Sequence, residues 1–413
     1  MLPEALPYHL KVRDYFKQQT STWEFFAAAR TRDEQLISFQ TELLKNTYQF
    51  RREAVSDRGL YEKIDLAREK LGLGALPVTA YQAQYANNPE LNASIVYLHQ
   101  EAHIVFSGPI LERLNETELL AVIAHELTHV RLYTLLDGDL EVADRLITAI
   151  ANNHNSEPPY YETARLFKLY TEIYCDRGAY AVTGDMAPVV SSLLKIATGL
   201  PEVNVESYTQ QAEAIFSAEP GTQSAMPTHP ENFIRTRALR LWQEEVAAVA
   251  AVAAGGGGSV AGTAGVEIAK MIEGPVDLDR LDLFSQRELN ELTLLFIQEY
   301  LRPKWFQSTL VMGLASQYFP TFMPAGEVEE GTRLVDALNG AHSSIRDYFA
   351  YVLLDFTLAD PSLEEMPAGR AFEFAGELQL TAAYDPIYKK ELQLSDKKWQ
   401  QHKQKVQEAY QSK

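Results

Sequence analysis

The run His125-Glu126-Leu127-Thr128-His129 fits the pattern H-E-x-x-H. On an α-helix, residues four apart differ by about 40° around the axis and one turn in height, so both imidazoles reach a single metal ion. Glu126 stands beside them and can accept a proton from water at that ion. The plainer reading is a helix whose two histidines and glutamate satisfy one another. A catalytic zinc site takes three protein ligands and leaves one position open, so a third ligand must come from another element. Glu172 is the best candidate, and Asp176 follows four residues later on the same helical face. From there Asp176 can hold a ligand histidine through its other ring nitrogen and so orient the ring. Such a pair can also be a solvated acidic face. The apolar neighbours Ile173, Tyr174, Cys175 and Ala179 argue against that.

The elements that must carry these residues are legible around them. Asn115 is a good N-cap and Glu118 follows three residues on, a capping-box start for a helix over 115–136. Pro158-Pro159 open a second long helix over 158–184, with Gly184 as its stop. Before the first helix, LPVTAYQAQY, NASIVYL and AHIVFSG are short β-branched and aromatic runs, the last two forming a hairpin. Residues 1–75 carry apolar residues at helical spacing, as do 188–216 and a helix from about 233 to 245. Residues 246–266 are free of charge and rich in Ala and Gly. They read as a flexible linker, with membrane contact the lesser reading because Gly255 to Gly258 break the run. The expected organisation is a helical region at 1–75, a catalytic domain at 76–245, a linker at 246–270 and a helical domain at 271–413.

Composition narrows the function. The chain has 413 residues, 46% hydrophobic and 23% charged, which excludes disorder over most of its length. Its net charge of −19 disfavours a nucleic-acid binder. The single cysteine, Cys175, allows no internal disulfide and no cysteine-based zinc cluster, and reads as a buried, inert thiol. The start MLPEALPYHLKVRDYF lacks a basic run followed by an apolar one, so no secretory leader is expected, and a cytoplasmic protein is the economical reading.

HELTH, then EIYCD, then THPENFIR resembles the gluzincin metallopeptidases of the HtpX and CAAX prenyl protease type. Asn92-Ala93 and the apolar strand at 103–106 match the layout upstream, so the resemblance covers roughly 75–240. It implies one zinc ion per chain held by His125, His129 and Glu172, with Glu126 as general base and then general acid. It implies Asp176 behind the ligand histidine, His229 as a stabiliser of the oxyanion and Arg235 in a supporting role. The strand at 103–107 would pair with an extended substrate.

The fold class expected is α+β, mainly helical: a gluzincin core with a small edge sheet and a helical C-terminal domain. The function expected is a zinc endopeptidase acting on protein or peptide substrates. The competing class is a catalytically silent scaffold on the same fold. His99 and His103 are also four apart but fall in a strand-turn-strand, where that spacing separates the rings. Asp277, Asp279 and Asp282 lack the glycine and distal Glu of a calcium loop. The C-terminal region resembles, weakly, helical domains of the TerB type, where acidic residues near Asp355, Asp360, Glu364 and Glu365 would bind a cation. A solvated helix end is the plainer reading.

Overall fold

The computed structural model describes residues 4–29, 33–84, 90–98, 101–253, 263–324 and 331–412. Two compact units divide at Gly274 and Pro275. The first holds α1 (Pro7–Lys17), α2 (Thr20–Ala29), α3 (Asp33–Asn46), β1 (Thr47–Gln49), α4 (Arg58–Lys70), β2 (Val78–Ala83), β3 (Asn92–Leu98) and β4 (Glu101–Ser107). It continues with α5 (Ile110–Arg113), α6 (Glu116–Thr134), α7 (Asp139–Ala151), α8 (Pro158–Thr183), α9 (Met186–Thr198), α10 (Val205–Ala218), α11 (Asn232–Ala253) and α12 (Thr263–Ile272). The second holds α13 (Leu283–Tyr300), α14 (Thr309–Tyr318), α15 (Gly331–Leu338), α16 (Ser343–Leu358), α17 (Met366–Glu377), α18 (Thr381–Glu391) and α19 (Asp396–Gln411). The chain is mainly helical α+β, as expected.

The sheet of the first unit runs β1-β2-β4-β3. β2 and β4 are parallel, whereas β1 with β2 and β3 with β4 are antiparallel, the hairpin setting Ile95 opposite Ile104. β4 is therefore interior and β3 is an edge. Ala102, Ile104 and Phe106 of β4 are buried against Tyr61 and Ile64 of α4 and the apolar side of α6. That core places α6 along the sheet with its histidines at one margin.

α6 starts where its sequence demands. Asn115 Oδ1 accepts from the N–H groups of Thr117 and Glu118, both at 3.0 Å, and Glu118 Oε2 accepts from Asn115 N–H at 2.9 Å. α8 opens on Pro158-Pro159 and ends at Gly184, whose positive φ of 77° suits glycine. The two helices pack closely because Gly178 has no side chain: a Cβ there would overlap the side chain of Thr128. By length and composition, Glu116–Ala151 is the one helical stretch among the described residues that could cross a membrane. More than half of its apolar window is buried in the fold, and the stretch is broken between α6 and α7. The break falls at Leu136 and Asp137, which adopt positive φ.

Four expectations need correction. Residues 1–75 are not wholly helical, since Thr47–Gln49 forms β1 by pairing with β2, a long-range contact that local periodicity does not report. The helical run at 188–216 is two helices separated after Gly199, whose φ is 71°. The helix expected at 233–245 runs from Asn232 to Ala253. The linker at 246–270 is consequently helical at both ends: alanine, the best helix former, carries α11 onward. α12 then buries Ile268, Met271 and Ile272. Residues 254–262 lie outside the described residues.

The second unit is an all-helical bundle among its described residues. Phe296, Tyr300, Phe306, Phe349, Phe356 and Tyr384 are fully buried in its core. Hydroxyl groups join the middle of that core. Tyr300 Oη lies 3.0 Å from Thr357 Oγ1 and donates to Pro367 O at 2.9 Å, and Thr357 Oγ1 lies 3.1 Å from Tyr384 Oη.

Candidate metal centre

α6 and α8 together assemble the candidate site. The helical spacing of His125 and His129 puts their ring centroids 5.2 Å apart. α8 brings Glu172 across from them: Oε2 is 3.3 Å from His125 Nε2, and Oε1 is 3.7 Å from His129 Nε2. One turn on, Asp176 Oδ1 accepts from His125 Nδ1 at 3.0 Å, which orients the ring with Nε2 facing Glu172. Arg235 of α11 clamps Asp176 from behind with two hydrogen bonds of 2.7 Å, and its guanidinium lies 3.5 Å from Glu172 Oε2. His229, on the loop before α11, is 61% exposed and reaches to 3.5 Å from Glu172 Oε1. His125, Glu126, His129, Glu172, Asp176, His229 and Arg235 therefore gather at one place.

The electrostatics follow from burial and charge. Burial opposes a charge on His125, but the carboxylates of Asp176 and Glu172 outweigh it and push the ring up to about 10. Burial pulls His129 down to about 4. Burial alone would raise Glu172, yet His125 and Arg235 hold its carboxyl well below the usual range. Burial likewise opposes ionisation of Asp176, and the Arg235 charge and hydrogen bonds overcome it. Glu126 gains less from its neighbours, and burial lifts it to about 7.

The donor set fits a zinc ion. Glu172 Oε2 is buried and lacks a hydrogen-bond partner. With neutral imidazoles, the two Nε2 atoms face the two oxygens of this carboxylate, a set of acceptors that only protons or a cation can satisfy. Zinc arms of about 2.0–2.1 Å in a tetrahedron give edges of about 3.3–3.4 Å, close to the observed 3.3 and 3.7 Å. Cys175 Sγ also lies near the two histidines, in a set of ligand atoms within 4.8 Å of one another. Burial and the neighbouring carboxylates push its thiol far up, so the protonated sulfur is a poorer donor than the ionised Glu172.

The site opens into a cleft bordered by Asn92, Ala93, Ser94, Ile95 and Tyr97 of β3. This corrects the strand expected to meet a substrate. Residues 103–107 lie in β4, which is paired on both sides, whereas the outer edge of β3 has no strand partner among the described residues. His103 is buried, with Tyr81 Oη 3.4 Å from its Nδ1, and His99 lies outside the described residues.

Sequence reasoning missed two features. Tyr133 lines the cleft and donates to Asp144 Oδ2 at 2.5 Å. Its position four residues after His129, on the same helical face, was the available signal. The second is a buried cluster in which Glu118 accepts from Ser191 Oγ at 2.6 Å and Lys195 Nζ at 2.9 Å, tying α9 to the start of α6. Nothing local in the sequence pairs those residues.

This geometry is that of a candidate metal centre. Residues 57–139, from just before α4 to the start of α7, match the profile of peptidase family M48. The matched segment contains the H-E-x-x-H run, while Glu172, Asp176, His229 and Arg235 lie beyond it. The chain is also similar to the plastoglobule-localized metallopeptidase 48, chloroplastic, of Arabidopsis thaliana, at 26% identity over 159 residues. That alignment covers 35% of this chain and 46% of the relative, so the chain spans under half the length of the curated relative it matches. No solved structure matches the chain.

Proposed function

We propose that the chain is a zinc-dependent endopeptidase that hydrolyses peptide bonds of protein substrates, with a role in protein quality control. The observation that carries this reading is the grouping of His125 Nε2, His129 Nε2 and the Glu172 carboxylate, whose Oε2 has no hydrogen-bond partner, at the mouth of a cleft that Glu126 also lines. His125, His129 and Glu172 would hold the metal. When bound, zinc supplies a Lewis acid that acidifies water and polarises the scissile carbonyl. Glu126 accepts the proton of the attacking water and delivers it to the leaving amine. A carboxyl lifted by burial to about 7 is suited to both transfers near neutral pH. Asp176 fixes the His125 ring, and Arg235 fixes Asp176 and balances its charge. His229, exposed at the mouth and 3.5 Å from Glu172 Oε1, would donate to the developing oxyanion. An extended substrate adds to the free edge of β3.

The reading is tested by zinc content and hydrolysis together. Wild type purified without added metal should hold about one zinc per chain, and Glu172→Ala should lose it. Glu126→Gln should keep the zinc and lose peptide cleavage. A wild type that stays free of metal after zinc is supplied would overturn the proposal.

A further inference from the structure

The wall of the cleft opposite β3 belongs to α9, outside the segment that matches the peptidase family. Val189, Ser192, Leu193 and Ile196 fall at i, i+3, i+4 and i+7, so they form one stripe along that helix. With Ala121 and Val122, about one turn before His125 on α6, they line a cavity of about 140 Å³ that also reaches Glu126 and Glu172. Ser192 is the polar member, and its Oγ donates to its own helix at Val189 O, 2.8 Å away. The wall therefore presents hydrocarbon to a ligand.

The adjacent stripe of α9 explains why this wall holds its place. Ser191 and Lys195 are bonded to Glu118, two turns before His125 on the same face of α6. α9 is thus anchored to the helix that carries the histidines, and the distance from wall to Glu126 is set by a buried ionic cluster.

We propose that this α9 stripe is the specificity-determining wall of the site, receiving the substrate side chain that adjoins the scissile bond and selecting aliphatic residues of valine to leucine or methionine size. The proposal rests on the peptidase reading. Three observations favour that occupant. The cavity is continuous with the candidate catalytic residues. The α9 stripe, with Ala121 and Val122, offers no partner to a charged side chain laid against it, whose burial unpaired is costly; the charged lining residues His125, Glu126, Glu172, Asp176, His229 and Arg235 stand on the other side, at the candidate site. A closed apolar cavity of about 150 Å³ accepts benzene. Here part of the space lies over Glu126 and Glu172, which leaves a compact remainder against the stripe, suited to an aliphatic side chain.

The test uses the full zinc-loaded chain on a peptide library, with cleavage positions read by mass spectrometry. Wild type should prefer Leu, Ile, Val or Met over Ala by about tenfold or more in kcat/KM at one position beside the cut. Ser192→Leu, which fills the pocket, should shift that preference to Gly and Ala. Leu193→Ala, which widens it, should raise cleavage of Phe relative to Leu. Unchanged preferences in both variants would overturn the pocket while leaving the peptidase reading intact. A second readout separates the two readings. In the Glu126→Gln background, a Leu peptide should bind about tenfold more tightly than its Ala counterpart by fluorescence anisotropy, and Ser192→Leu should erase the difference. Discrimination in binding without any cleavage by wild type would support the pocket and sink the peptidase reading. No discrimination in either assay overturns both.

Discussion

The two units differ in where they bury charge. The first sinks full charges: Glu118, Glu126, Glu172, Asp176, Lys195 and Arg235 are all buried. The second buries the carboxylates of Asp282, Glu299 and Asp360 only at helix ends, and its core is joined by the neutral hydroxyls of Tyr300, Thr357 and Tyr384. A buried ion that loses its partner keeps its desolvation penalty, whereas a lost hydroxyl contact costs about one hydrogen bond. Neutral hydroxyls suffice to give a helical bundle one packing. Charges at this depth are expected where a reaction uses them, and the neighbours that keep them ionised must then be buried too.

The largest effect expected separates chemistry from stability within the first unit. Glu126→Gln should lower peptide hydrolysis by about 10²–10⁴-fold and yet stabilise the chelator-treated protein above neutral pH. The sign follows from the raised carboxyl. Between its ordinary value of 4.5 and about 7 the folded state holds the extra proton, so stability falls as pH rises through that window and stays low above it. Thermal melts from pH 4 to 8 after chelation check this. A variant that melts below wild type at pH 8 contradicts it.

Next come two substitutions that set the units against each other. Arg235→Met removes the buried cation that balances Asp176 and Glu172, and should cost about 3–5 kcal/mol. Tyr384→Phe removes one hydroxyl from the bundle of the second unit, and should cost about 1 kcal/mol. Urea unfolding of both measures the difference. Equal costs would erase the contrast between charged and neutral burial.

The smallest effect sharpens the contrast through pH. Burial opposes ionisation of Glu118, but hydrogen bonds from Ser191, Lys195 and the Asn115 N–H outweigh it and hold the carboxyl below its usual range. Its stabilising contribution is then complete above pH 4.5 and is lost as pH falls through the lowered value. Glu118→Gln should melt below wild type at pH 7, with the gap closing as pH drops under 4.5. A gap that is constant with pH would show that the carboxylate charge is not what matters there.

These contrasts also mark what the sequence could convey. H-E-x-x-H, E-x-x-x-D and the Asn115–Glu118 cap are local patterns, and helical periodicity alone brings their members together. His229 and Arg235 were legible only through resemblance, because a loop histidine and a helical arginine carry no local signature. Long-range pairing was illegible. Nothing in NASIVYL or AHIVFSG states which strand takes the edge, since that depends on β2 inserting beside β4. The α9 wall was missed for a related reason: its apolar stripe reads as ordinary core until α6 is set against it. The Ala-rich run after Glu245 misled in the other direction, because a composition typical of linkers is also the best of helix formers.

Gly178 carries no charge, ligand or proton, and yet it sets the closeness of α6 and α8. An added methyl group would meet Thr128, which stands between Leu127 and His129 on the facing helix. Any side chain there wedges the two helices apart, and the separation between the histidines and Glu172 opens with them. In a saturation library selected for hydrolysis, position 178 would be as depleted as the ligands themselves. A reader of that library alone would count it among the catalytic residues, although its contribution is empty space.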